Sequence, residues 1–302
     1  MIVPLKDLFD QTSPVKAYRL KDPQLSERCL LIESPSARRI LTNHFLVGAQ
    51  LVSQCRAAVK DYLSVFFSLQ AWKLKFTQMV EVVPLSGSLT YDVLTAFYEL
   101  QQHTLARIFI GIRRFQKPDG IWDTEVSYTN FESLSDNIKM VFIGDTIATR
   151  VTITKVIRMI QAHVQVPLAV IVISIAGSLI GARRLVQLEK STQKSFPGTE
   201  IWCLFTEAFL GLEDNGTDMP VLHPDTISVP ELNQVAKQQL GEYLARNLCS
   251  VLDWGKRTNA PLEHYQDLLS TLQRLKINSV KNSNIDRLIN ECQRMLSAEK
   301  FK

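Results

Sequence analysis

Residues 140–160 constrain the fold more tightly than any other stretch. An apolar run, Met140-Val141-Phe142-Ile143, ends abruptly in Gly144-Asp145. Small and hydroxyl-bearing residues follow, Thr146-Ile147-Ala148-Thr149-Arg150-Val151-Thr152, and Ile153, Val156, Ile157 and Ile160 then recur at helical spacing. The order is buried strand, acidic turn, hydroxyl-rich loop, helix. It predicts a strand over 139–143 and a helix over 151–163. Such a junction gathers backbone N–H groups and threonine hydroxyls at a helix N-terminus, where a phosphate is favoured. A carboxylate beside it can accept hydrogen bonds from sugar hydroxyls. The bland alternative is a strand-end turn in which Asp145-Thr146 caps the next helix.

The flanking sequence repeats the strand–helix alternation. Apolar runs predict strands over 78–84, 107–112, 168–173 and 200–206, and helical spacing predicts helices over 90–102 and 179–194. Residues 36–72 read as helical. Residues 115–136 read as a polar arm containing Trp122, Tyr128 and Phe131, and residues 1–35 as short mixed elements. Strands alternating with helices of this length argue for an α/β fold, a parallel sheet flanked by helices. Right-handed crossovers then place the loops after the strands on one edge. After Pro230 the pattern turns to polar-rich helices, 232–252 and 265–275, with leucines at Leu240, Leu244, Leu248 and Leu252. The expected organisation is an α/β domain over 1–230 and a C-terminal helical extension over 231–302.

Composition excludes several classes. The 302 residues carry a formal net charge of +4, too little to indicate nucleic acid. The five cysteines are scattered with no Cys-x-x-Cys, which reads as reduced thiols in a cytoplasmic protein and not as zinc ligands or disulfides. The uncharged stretch 166–182 contains Pro167, Gly177 and Gly181. Its Val170-Ile171-Val172-Ile173 reads as a central strand, so no membrane span is expected. Met-Ile-Val-Pro-Leu-Lys at the start does not read as a secretory signal.

The 140–152 stretch resembles the phosphoribosyl-diphosphate (PRPP) loop of type I phosphoribosyltransferases: an apolar strand, two acidic residues, then Thr-x-x-Thr-Gly-x-Thr. Asp145, Thr146, Ala148, Thr149 and Thr152 match it. Gly144 stands where the first acid belongs, and Arg150 where the loop glycine belongs. The flanks are nearest to uracil phosphoribosyltransferases. Val82-Val83-Pro84-Leu85-Ser86-Gly87-Ser88 resembles the diphosphate loop without its arginine, and Gly111-Ile112-Arg113-Arg114 resembles the Gly-x-x-Arg strand. Met219-Pro220-Val221-Leu222 stands near the family's Val-Pro-Gly-Leu, and Leu252-Asp253-Trp254-Gly255-Lys256-Arg257 faintly echoes its terminal Gly-Asp-Phe-Gly-Asp-Arg.

The resemblance implies a divergent glycosyltransfer enzyme that moves ribose 5-phosphate from PRPP to a nucleobase-like acceptor, with Mg²⁺ accompanying PRPP. It implies Asp145 on the ribose hydroxyls and Thr146, Ile147, Ala148, Thr149, Arg150, Val151 and Thr152 around the 5′-phosphate. Ser86, Gly87, Ser88 and Arg114 would meet the diphosphate, and Asp214, Met219 and Pro220 the base. A homodimer is compatible with the family. The altered loop equally fits a non-catalytic regulatory or assembly protein that senses a nucleotide on the same scaffold. Arg150 could obstruct a phosphate or bind it bidentately.

Overall fold

The computed structural model describes residues 1–5, 15–69, 72–85, 87–118, 122–135, 137–149, 151–164, 167–278 and 283–299. The chain opens with β1 (Ile2–Pro4), β2 (Ala17–Leu20), β3 (Cys29–Ile32), α1 (Pro35–Thr42) and α2 (Gly48–Leu69). It continues through β4 (Met79–Pro84), α3 (Val93–Gln101), β5 (Ala106–Gln116), β6 (Trp122–Thr129), β7 (Met140–Gly144) and α4 (Val151–His163). Then come β8 (Ala169–Ser174), α5 (Leu179–Ser195), β9 (Glu200–Thr206), β10 (Ala208–Phe209) and β11 (Ile227–Ser228). Four helices follow: α6 (Pro230–Asn247), α7 (Trp254–Asn259), α8 (Pro261–Ile277) and α9 (Ser283–Glu299).

The main sheet has the order β1-β2-β3-β9-β8-β7-β4-β5-β6. From β3 to β5 every pairing is parallel, while β1-β2, β2-β3 and β5-β6 are antiparallel. The α/β class with C-terminal helices is therefore as expected. β4 proceeds to β5 on one side, whereas β7, β8 and β9 lie in turn on the other. The chain thus reverses direction between β4 and β7, and the loops leaving these strands flank the crevice where open α/β sheets bind ligands.

Alternation along the strands divides the core in two. Met140 and Phe142 of β7, with Ala169, Ile171 and Ile173 of β8, join the cluster that includes residues of α1–α3, α6, α8 and α9. Val141, Ile143, Val170 and Val172 face Ile153, Val156, Ile157 and Ile160 of α4, the stripe expected from spacing. Each such side chain contributes about 1.5–3 kcal/mol on burial. The five cysteines are buried and free, and no described helix is long and apolar enough to cross a membrane.

Four boundaries differ from expectation. The arm after residue 115 is partly strand, because β6 pairs back onto β5. The helical stretch 36–72 divides at Asn43, the C-cap of α1. The helix expected from residue 90 starts at Val93, after a 3-10 turn over Ser88–Tyr91. The helix expected over 232–252 stops at Asn247 and is broken at Gly241, where φ is 76°. That conformation is open to glycine and closed to most side chains.

Candidate functional site

The loop after β7 is tied down through its backbone N–H groups and carbonyls, and its threonines line a cleft. Asp145 N–H donates to the Ile173 carbonyl at 3.0 Å, and Ile147 N–H to the Ala176 carbonyl at 3.0 Å. Ser178 N–H donates to the Ile147 carbonyl at 2.8 Å. The Ser178 hydroxyl donates to the Ala148 carbonyl at 2.6 Å while accepting from Gly181 N–H at 2.8 Å. Ser178 thereby caps α5 and clamps the loop with one oxygen. Gly181 permits the contact: a Cβ there would stand 2.8 Å from the Ala148 carbonyl oxygen. The first N–H groups of α4, beginning at Val151, have no acceptor within the helix.

Asp145 is only 7% exposed, and its carboxylate accepts the Thr146 N–H at 2.8 Å. Burial pushes its carboxyl up to about 7, opposed by that hydrogen bond and by the Arg114 guanidinium. Gly144, the residue before Asp145, lies against the fully buried Tyr91. The Tyr91 hydroxyl stands 3.4 Å from the Thr146 hydroxyl and accepts Ile175 N–H at 3.3 Å.

Asp145, Thr146, Ala148, Thr149, Val151 and Thr152 line one cleft of about 320 Å³, and Arg114 reaches it from β5. Ile147 instead buries its side chain in the sheet core. Gly87, with φ 131°, is covered by the Trp254 indole, and Ser88 is buried with its hydroxyl unpartnered among the described residues. Ser86 and Arg150 lie outside the described residues. Asp214 is exposed and, like Met219 and Pro220, is not among the cleft-lining residues; Thr217 and Asp218 from the same segment are. The Met219 carbonyl accepts both the backbone N–H and the hydroxyl of Ser250, at 3.1 and 2.7 Å. Pro220 bridges Cys249. Met219 and Pro220 thus hold the 249–255 segment, which forms a wall of the cleft.

That wall is anchored from below. Arg257 is completely buried, and its guanidinium donates to the carbonyls of Asn43 at 2.9 Å and Leu46 at 3.2 Å, with longer contacts to Ile40 and Ser250. Its charge is solvated by peptide dipoles. His44 and His264 extend the anchor: His44 Nε2 meets the Cys249 carbonyl at 2.9 Å, and His264 Nε2 the His44 carbonyl at 2.8 Å. Bonding to carbonyls requires both nitrogens to donate. Burial lowers His44 to about 3 and His264 to about 4, with the Arg257 charge adding to both.

Asp253 is the acid of the wall. Its φ of 54° is left-handed, a conformation uncommon outside glycine. Burial, then the neighbouring Asp267, raise it to about 6. Lys256 Nζ lies 3.4 Å from Asp253, 2.5 Å from Asp267 and 3.9 Å from Glu263. The wall was discernible in sequence only through the echo at 252–257. Thr217 and Asp218 fall in the 214–222 stretch that the resemblance brings near the base, whereas Tyr91 and Cys249 gave no signal, since each reaches the cleft or its loop through a contact distant in sequence.

No known family's sequence model matches the chain, and no curated protein matches it. Among solved structures it is similar to a hypothetical protein from Neisseria gonorrhoeae with bound ppGpp, at 12% identity and a TM-score of 0.31, over 62% of this chain and 93% of that one. It is also similar to a mutant hypoxanthine phosphoribosyltransferase from Trypanosoma cruzi complexed with IMP, at 13% identity and a TM-score of 0.32, over 61% and 91%. A further structure of the Trypanosoma cruzi enzyme gives 14% identity and a TM-score of 0.32, over 62% and 92%. A likeness this partial and distant assigns no activity to the chain.

Proposed function

We propose that the chain is a divergent phosphoribosyltransferase-like enzyme that transfers ribose 5-phosphate from PRPP to a nucleobase-like acceptor. One observation carries the reading. Thr146, Thr149 and Thr152, the N-terminus of α4, the buried Asp145 and Arg114 converge on a single cleft. The threonine hydroxyls and helix N–H groups suit the 5′-phosphate. Asp145, once ionised, accepts hydrogen bonds from ribose hydroxyls. Arg114 faces the departing diphosphate, and the 249–255 wall faces the acceptor.

In the transfer the bond from C1 of the sugar to the diphosphate oxygen breaks and its electron pair leaves with diphosphate; the sugar passes through an oxocarbenium-like state, and a nucleobase nitrogen bonds to C1 through its lone pair and releases its proton to solvent. Fixed dipoles and charges lower that barrier without reorganising, and the cleft aligns acceptor and sugar. Among the described residues no group of three metal-ligating side chains could hold an ion. In this reading Mg²⁺ enters as part of the PRPP substrate complex, carried by the diphosphate.

A second reading, a non-catalytic nucleotide-sensing protein, is favoured by the packing of Tyr91 against Gly144, which leaves Asp145 as the acid of the loop. Calorimetry with PRPP and Mg²⁺, followed by diphosphate-release assays over a panel of nucleobases, separates the two. Binding with release on one acceptor supports the enzyme. Binding without release on any acceptor supports the sensor. Absence of binding by PRPP, ribose 5-phosphate and nucleotides rejects both.

A further inference from the structure

The cleft is electrically two-sided. The threonine loop, the N-terminus of α4 and Arg114 suit an anion. The other contributors suit a hydrogen-bond donor. Asp218 and Asp253 line the cleft beside Cys249, whose thiol burial pushes up to about 12 and so keeps neutral. Asp218 is steadied by Asn215, whose amide donates to it at 2.9 Å. Lys256 does not line the cleft and is shared among Asp253, Asp267 and Glu263, so one cation faces three carboxylates there. Among the described residues the acceptor side thus presents two carboxylates, Asp218 and Asp253, and no cation to the cleft.

We infer that the acceptor side takes a nucleobase bearing an exocyclic amino group, held through N–H bonds to Asp253 and Asp218, and rejects an anionic one. The inference rests on the phosphate-and-ribose reading above and names its substrate class. An ionised carboxylate can only accept, so an amino group satisfies it, whereas a carbonyl oxygen in the same place gives the carboxylates no donor and sets acceptor against acceptor. A carboxylate on the base adds like-charge repulsion.

Nucleoside monophosphates test the inference without requiring turnover. GMP and IMP differ by one amino group, CMP and UMP by an amino group in place of a carbonyl, and orotidine 5′-monophosphate carries a carboxylate. In calorimetry, GMP should bind about 10- to 100-fold tighter than IMP, or CMP tighter than UMP by the same factor, with orotidine 5′-monophosphate weakest. Asp253→Asn, or Asp218→Asn should that variant not fold, should bring the discriminating pair to within about threefold by weakening the amino-bearing member. Pairs that bind alike while ribose 5-phosphate binds overturn the inference and leave the phosphate site standing. Tight binding of orotidine 5′-monophosphate also overturns it. Failure of ribose 5-phosphate and every monophosphate to bind removes the phosphate reading as well.

Discussion

Tyr91 stands where a side chain on Gly144 would have to go: a Cβ built on Gly144 would lie 2.7 Å from Tyr91 Cβ and 2.8 Å from its ring. The two residues lie on different elements, the 3-10 turn after β4 and the end of β7. Their contact gives the glycine at 144 a steric cause. An acid at 144 and a tyrosine at 91 cannot share this space. Gly144→Asp should therefore destabilise the protein by about 2–4 kcal/mol, through overpacking and burial of a carboxylate. Adding Tyr91→Gly removes both the clashing Cβ and the ring, so the double variant should lose less stability than the sum of the two single variants. Thermal melts of the single and double variants form the cycle that checks it.

Asp145 should make the fold less stable as pH rises. Its folded value of about 7 lies above the ordinary carboxylate value. Below about pH 4 both folded and unfolded states hold the proton, and the group has no effect. Between about 4 and 7 the folded state binds more protons than the unfolded, so unfolding free energy falls as pH rises and levels off above 7. Asp145→Asn should then match the wild type at pH 4 and exceed it by up to about 4 kcal/mol at pH 8. Denaturant titrations at the two pH values check it. Equal stability at pH 8 would mean that the carboxylate is better solvated than its burial indicates.

His44 and His264 should act in the opposite sense. Their folded values, about 3 and about 4, lie below the ordinary imidazole value. As pH falls below about 6.5 the unfolded state takes up protons that the folded state refuses, so stability is lost on acidification down to those values. Over pH 4–6.5 this slope opposes that of Asp145. His44→Gln keeps an N–H donor for the Cys249 carbonyl and removes the titration. Its acid-unfolding midpoint should shift to lower pH, and the penalty relieved at pH 4 should be about 3 kcal/mol. Acid titrations followed by tryptophan fluorescence measure the midpoint.

Removal of residues after Pro230 should unfold the domain. Leu232, Ala236, Leu240 and Leu244 of α6 are buried in the same cluster as the sheet residues Phe142 and Ile171, and Arg257 ties the α7 segment to the turn after α1. Truncation would expose that apolar face and leave the Asn43 and Leu46 carbonyls without their donor. The truncated chain should show no cooperative melt and no ligand binding. A truncated protein with unchanged melting temperature would establish 231–302 as an independent module.

What the sequence by itself determined is local. The run Met140–Ile143 and the spacing of Ile153, Val156, Ile157 and Ile160 specify a buried strand and a one-sided helix, because strand and helix periodicities depend on neighbours a few residues apart. The loop between them, with Asp145 and its threonines, is legible for the same reason. The tertiary structure alone decided what surrounds that loop. Tyr91 excludes an acid at 144 across more than fifty residues of chain, and Asp253 reaches the cleft from more than a hundred residues away. Arg257 shows the limit most plainly. In sequence it is one cation at the end of the 252–257 echo, between two expected helices, and such a residue ordinarily faces water. In the fold it is fully buried among carbonyls from α1, the turn after it and residue 250. No periodicity records such partners, because backbone carbonyls carry no residue identity and are brought together only when the chain closes on itself.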